Sequence, residues 1–376
     1  MKKTSTCAVV VCGALSAAAA HAEFAVTSVT MTELGTLGGQ LSDAYDINDA
    51  GTIVGYSADT LGASRGFYYS GGVMYQVGAS GVEMSWAMGI NNSGQIVGTW
   101  RDVTGDHAYR WQGGFITQLA EGAPYYLTVE SSARAIADNG RIVGQLNYPH
   151  PYFLGFSASN MWLTPGNHFH LYPPAVQQEY ASIVEDVDEL GRAVIWDNYT
   201  VKSYLVNHFG PPASTYKAVP PPPAIAGYDF SFISALGLHE NNGVVGAAGY
   251  YSPSNFYASR AYYWNTTSAT VMLLPTLTGG QRSVADDING QSLIAGWSDI
   301  APFWLSKATY ETAFIYHADF GIYALPRGHF SNCHARALNE RNQDGFVYVV
   351  GWCEGTQGKR AIRWNVRIKG SPGGHT

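Results

Sequence analysis

A twelve-residue pattern that returns along nearly the whole chain constrains its fold more than any other feature. Ala44-Tyr-Asp-Ile-Asn-Asp-Ala-Gly-Thr-Ile-Val-Gly55 is copied by Ala87-Met-Gly-Ile-Asn-Asn-Ser-Gly-Gln-Ile-Val-Gly98 and by Ala133-Arg-Ala-Ile-Ala-Asp-Asn-Gly-Arg-Ile-Val-Gly144. The apolar residue before each turn is Ile47, Ile90, Ile136, Val187, Leu238, Ile288 and Leu338, which gives seven copies 43 to 51 residues apart. That spacing is the length of a four-stranded propeller blade. In the first copy, strands are expected over 42–47, 52–57, 65–70 and 73–77. The second strand is apolar on both faces (Ile53-Val54, Ile96-Val97, Ile142-Val143, Val244-Val245), as in a sheet covered on both sides by its neighbours. The expected fold is all-β: a seven-bladed β-propeller of four-stranded antiparallel blades. The last repeat lacks an outer strand, and the segment from Phe24 to Leu34 is the strand expected to close it.

The Asn48-Asp-Ala-Gly51 and Asn91-Asn-Ser-Gly94 turns supply residues that tolerate positive φ, so their Asx content reads as turn chemistry rather than calcium ligation. The same register places Ser42 opposite Ser57 and, in the last repeat, Cys333 opposite Cys353. A disulfide across that hairpin is expected, with a reactive or metal-binding thiol pair beside His334 as the alternative.

Composition limits compartment and partners. Lys2 and Lys3, the apolar stretch 8–20 and Ala20-His21-Ala22 read as a secretory signal. Residues 1–22 are then removed, 23–370 form one propeller domain, and 371–376 are a disordered tail. Cys12 follows Val11 rather than a small residue, which argues against lipidation. The rest of the chain holds no apolar run long enough to span a membrane. A secreted or periplasmic monomer is expected. The formal net charge is −7, and no basic face is visible, which excludes a phosphate-backbone binder of nucleic acid.

A second signature marks the third strands: His107-Ala-Tyr-Arg-Trp111, Arg260-Ala-Tyr-Tyr-Trp264, Thr312-Ala-Phe-Ile-Tyr316 and Arg360-Ala-Ile-Arg-Trp364. With Leu34-Gly-Thr-Leu-Gly-Gly39 and the Asx turn, the chain resembles the extracellular HAF repeat family over most of residues 34–366. That resemblance implies an exported repeat protein with a propeller-like fold and carries no catalytic residues.

Function is sought where the pattern breaks, in residues 146–230. His150, His168 and His170 offer a zinc reading, and no other cofactor is called for. His150 and His170 with Tyr216 as base and acid, and Arg134 to neutralise a carboxylate, would serve β-elimination on a uronic-acid polymer. In residue types and fold this is similar to the propeller lyases acting on ulvan. His168, Tyr152, Tyr172 and Tyr199 are the further candidate ligand contacts. The bland alternative is aromatic and His side chains packing an irregular blade edge. No nucleophile elbow, phosphate loop, zinc-protease motif or dinucleotide fingerprint is present. The expectation is a propeller that binds an extracellular polysaccharide or other cell-surface ligand, with a polysaccharide lyase as the alternative.

Overall fold

The computed structural model describes residues 24–371, except 79–80, 121–129, 149–155, 172–181, 199, 209–213, 254–256 and 301–309. The signal segment and all but the first residue of the tail therefore lie outside the described residues. Among those described, the chain forms seven four-stranded antiparallel sheets and no helix. Blade 1 is Gly38–Ile47, Ile53–Asp59, Ser64–Ser70 and Val73–Val77, in spatial order. Blades 2 to 6 repeat this meander, with first strands Met84–Ile90, Glu130–Ile136, Ser182–Val187, Asp229–His239 and Ser283–Ile288. Blade 7 holds Asn332–Leu338, Phe346–Gly355 and Gly358–Lys369, and its outer strand is the N-terminal Ala25–Glu33, paired Val29 to Val366 and Met31 to Trp364. Each first strand contacts the first strand of the next blade, and Asn332–Leu338 contacts Gly38–Ile47, so the ring closes around an axis.

The repeat pattern follows from one irregularity. Every first strand carries a bulge, between Ala44 and Asp46 in blade 1 and between Ala335 and Ala337 in blade 7. The bulge corrects the expected pairing at the turn: Ile47 lies opposite Ile53 rather than Thr52, and the extra residue Tyr45 then restores Ala44 to Gly55 and Ser42 to Ser57. It also explains the repeat glycine. A Cβ on Gly55, Gly98 or Gly144 would lie about 2 Å from the carbonyl oxygen of Asp43, Trp86 or Ser132 (2.0, 1.9 and 1.9 Å). Blade 4 keeps the bulge with Val184 opposite Ile195. In blade 7 the register brings Cys333 opposite Cys353, and the two form a disulfide.

The core is a chain of inter-blade layers. Val54 and Val77 of blade 1 pack with Ala87, Ile90, Ile96 and Tyr109 of blade 2, and Val97 and Ala108 pack with Ala133, Ile142 and Trp162 of blade 3. The third-strand signature serves these layers. Ala108, Ala261 and Ala361 are wholly buried, and their backbone N–H groups donate to Ser131, Ser283 and Ser42 of the following blade at 2.7 to 2.9 Å. Trp162, Trp264 and Trp364 are buried too, and each indole N–H donates to a backbone carbonyl of Ala120, Ser268 or Pro326.

Candidate functional site

The bulges turn one residue of each first strand toward the axis. The first strands of all seven blades pack side by side around the axis, which brings these residues into one channel. Arg134 donates to Glu185 at 2.8 Å; Arg336 pairs with Asp43 at 3.2 Å and lies 5.0 Å from the Tyr45 ring centroid.

The next position is Asp46, Asp186 and Asp287 in blades 1, 4 and 6, and Gly89, Gly237 and Ala337 in blades 2, 5 and 7. Each Asp accepts the N–H of its own next residue and, across the blade boundary, that of Ile90, Leu238 or Leu338 at 2.8, 2.8 and 2.9 Å. The neighbour must be small: a Cβ on Gly237 would lie 2.8 Å from the carbonyl oxygen of Asp286. Burial pushes the Asp46 carboxyl up to about 6 and Asp186 up to about 7, and raises Asp287 well above the ordinary range, with the charges of the other two adding to Asp287's shift.

Beyond this layer the Asx turns form one mouth of the channel. Asn48, Asn91 and Asn289 accept an N–H within their own turn and donate their amides to the next blade's turn, at Asn91, Ala137 and Asn339. The residues at positive φ are instead Gly51, Gly94, Gly140 and Gly191, replaced by Asn242 and Ser292 in blades 5 and 6. The turn asparagine is thus an inter-blade staple rather than the positive-φ residue. The mouth is a cavity of about 230 Å³ lined by all seven blades.

The opposite end carries aromatic rings. Blade 5 has longer strands than its neighbours, Asp229–His239, Gly243–Tyr251 and Tyr257–Asn265, so its ladder continues to Tyr251 and Tyr257, past the length of those in blades 4 and 6. Tyr251 faces Tyr257 across the ladder, with ring centroids 5.3 Å apart, and Phe232 lies 6.4 Å from Tyr257 on the same sheet face. Tyr251 is 45% exposed and Tyr257 37%. Beside them Arg282 lies 5.8 Å from the Trp297 ring, and Trp297, His334 and Trp352 are layered at 4.4 and 4.3 Å, with Lys359 4.2 Å beyond Trp352. Burial lowers the pKa of His334, partly opposed by its 2.7 Å contact with Glu311. The result is an aromatic strip running from blade 5 through blade 6 to a buried Trp352 in blade 7, interleaved with ion pairs: Arg282 with Asp299 and Glu311, and Lys359 with Asp43. Sequence reading missed it; the surplus length of blade 5 and the Tyr250-Tyr251 pair were the available signals.

The residues chosen from sequence do not gather here. Arg134 lies on the first strand of blade 3, ion-paired in the channel, whereas His170 ends the fourth strand, Asn167–His170, opposite Asn160. Tyr216 is on the fourth strand of blade 4, Ser214–Ala218, against the core layer between blades 3 and 4. First and fourth strands of a sheet stand roughly 14 Å apart, so within blade 3 Arg134 is three strands from His170, and its guanidinium is engaged by Glu185 of blade 4. His150, Tyr152, Tyr172, Tyr199 and the side chain of His168 lie outside the described residues. Among the described residues no group of three or more His, Cys, Asp or Glu side chains is placed to hold a metal ion, and no helix is long and apolar enough to cross a membrane.

No protein-family model matches the chain, and no curated protein matches it. Solved structures do. A variant of a puromycin hydrolase is similar with TM-score 0.55 at 9% identity, over 90% of this chain and 55% of that one. The puromycin-hydrolysing peptidase of Mycobacterium tuberculosis gives 0.50 at 9%, over 93% and 56%. A protein of unknown function from Dyadobacter fermentans gives 0.44 at 12%, over 91% and 99%. Likeness at such identity is a likeness of fold.

Proposed function

We propose that this chain is an exported propeller that binds a glycan along the aromatic strip of blades 5 to 7. The observation that carries the proposal is the exposed Tyr251–Tyr257 pair, set beside Phe232 and Arg282 at the end of blade 5's long ladder. Aromatic rings offer apolar faces to the C–H surface of a sugar, and the ion pairs of Arg282 with Asp299 and Glu311 offer both donors and acceptors to its hydroxyl groups. The Cys333–Cys353 disulfide suits an oxidising, extracytoplasmic compartment.

The test is a glycan array run with the native protein and with a Tyr251→Ala/Tyr257→Ala variant. Retention of a glycan by the first and its loss by the second is the expected result. Binding unaffected by the double substitution, or capture of proteins but no glycan, overturns it. The same glycans, incubated with the protein and followed for unsaturated uronate, separate binding from the elimination reading.

A further inference from the structure

One of the seven central hairpins departs from the repeat. Between the repeat residue before the turn and its partner on the second strand lie five residues in blades 1 to 6, as from Ile47 to Ile53, and ten in blade 7, from Leu338 to Val349. The longer turn is ordered. Asn342 Oδ1 accepts the N–H groups of Asp344 and Phe346 at 3.1 and 2.9 Å, and Arg341 donates to the carbonyl oxygens of Ile368 and Gly370 at 2.7 and 2.6 Å. Gly345 closes the turn at φ +82°, and a Cβ there would lie 3.1 Å from the carbonyl oxygen of Ile368. Across the third strand, the N-terminal strand bulges at Thr27, whose hydroxyl donates to the carbonyl oxygen of Arg367.

Turn, third strand and bulge surround a cleft of about 480 Å³, within the roughly 300–1,000 Å³ of small-molecule sites. Its charge runs against that of the chain, whose formal net charge is −7: Arg341, Arg367 and Lys369 line it with a single acid, Asp344. The carbonyls that hold Arg341 are neutral and leave its charge uncancelled. Arg367 is set over the Phe346 ring, 5.6 Å from its centroid. Among the described residues Arg367, Lys369 and Asp344 form no ion pair. The cleft therefore calls for an anionic group, and the planar fork of Arg matches a carboxylate. Asp344, Gln343 and Thr27 add a carboxylate, an amide and a hydroxyl, which suit the hydroxyl groups of a sugar. Asp344 also disfavours a second negative charge on the ligand, as does Glu340, which precedes Arg341 and belongs to the acidic axial rim. We infer that the blade 7 cleft binds a polyhydroxylated monocarboxylate of the sugar-acid class, free or as the end residue of a glycan. Its carboxylate lies toward Arg367 and Lys369, and its hydroxyls donate to Asp344. This site is separate from the aromatic strip and stands without the glycan reading there.

Calorimetric titration of the whole protein with glucuronate, glucose, glucose 6-phosphate and a glucuronate-ended oligosaccharide tests it. Glucuronate is expected to bind, glucose to give no heat, glucose 6-phosphate to bind more weakly than glucuronate, and added salt to weaken both acids. The oligosaccharide binding more tightly than the free acid assigns the cleft to glycan ends, and the reverse order assigns it to free sugar acids; either supports the site. Arg367→Gln, at an exposed side chain, should weaken glucuronate binding about tenfold or more. Asp344→Asn should bring glucose 6-phosphate up to the affinity of glucuronate. The Tyr251→Ala/Tyr257→Ala variant should bind glucuronate as the native protein does, which separates this cleft from the strip. No binding of glucuronate, equal binding of glucose, tighter binding of glucose 6-phosphate, or glucuronate binding that survives Arg367→Gln but not the double tyrosine substitution would each overturn the proposal.

Discussion

The turn asparagine shows how a repeat residue is replaced without losing its job. Asn91 ties its own turn through Gln95 and the next blade through the carbonyl of Ala137. Blade 4 has Asp188 there, which has no amide to donate, and Arg192 supplies the missing donors. It pairs with Asp188 at 2.6 Å and reaches the carbonyl oxygen of His239 and the side chain of Asn242 in blade 5. Because the pair is buried, Arg192→Ala should destabilise by about 3–5 kcal/mol through the stranded carboxylate. Adding Asp188→Asn should recover much of that loss, measured by urea unfolding of the single and double variants; an additive double variant would refute the compensation. The axial aspartates act in the opposite sense. Their native pKa values, about 6 for Asp46 and about 7 for Asp186, lie above the ordinary 3.8, so the folded state holds protons the unfolded state has released. Their contribution is greatest below the ordinary Asp value and is lost as pH rises through the native values. The unfolding midpoint should therefore fall between about pH 4 and pH 7, and Asp186→Asn should flatten that fall.

At the scale of strands, blade 7 is made from both ends of the described chain, so its cohesion decides whether the ring stays shut. The outer strand Ala25–Glu33 covers the edge of Gly358–Lys369, and the Cys333–Cys353 bridge ties the inner hairpin, its cysteines separated by 20 positions in sequence. A bridge closing such a loop stabilises by about 3 kcal/mol through the unfolded chain. Cys333→Ser/Cys353→Ser should lower stability by about that amount while leaving the β-sheet circular dichroism unchanged. If reductant leaves the unfolding curve of the native protein unmoved, the bridge has no such role. The bulge is the other strand-scale device. It sets the first strands' axial residues and makes Gly55 and its counterparts obligatory, so a regular alternation of inward and outward residues does not describe these strands.

For the whole molecule, the two ends of the axis differ in kind. One is ringed by Asx turns and carboxylates; the other carries Tyr251, Tyr257, Trp297 and Trp352 with Arg282, Arg336 and Lys359. A polyanionic glycan is repelled from the first; at the second, Arg282 is already paired with Asp299 and Glu311, and Arg336 and Lys359 with Asp43, so the aromatic faces rather than net charge would carry recognition there. At the aromatic end, removing both exposed tyrosines should cost roughly 2 kcal/mol or more of binding. The unfolding midpoint should stay where it is, because neither ring is buried in an inter-blade layer; a shifted midpoint would instead mark the pair as structural.

Blade number, strand order, closure by the N-terminal strand and the cysteine pair were all legible in the sequence. Each rests on local periodicity, and a period of 43 to 51 residues with one turn chemistry leaves few ways to stack the copies. The position of a site was not legible in the same way. Within residues 146–230, blade 4 is a four-stranded sheet in which Asp188 and Arg192 replace the repeat's turn asparagine, while 149–155, 172–181, 199 and 209–213 lie outside the described residues. Arg134, read as a partner for His170 and Tyr216, is turned by its bulge to the axis and pairs with Glu185, 51 residues away. Asp46, Asp186 and Asp287 are far apart in the chain and look like ordinary turn-flanking residues. Only ring closure brings them around one axis, where burial and mutual repulsion give them their chemistry. The sequence by itself determined the scaffold, because repeats fix local pairing; the tertiary structure alone decided which unrelated side chains share a cavity, because that depends on the closure of all seven blades.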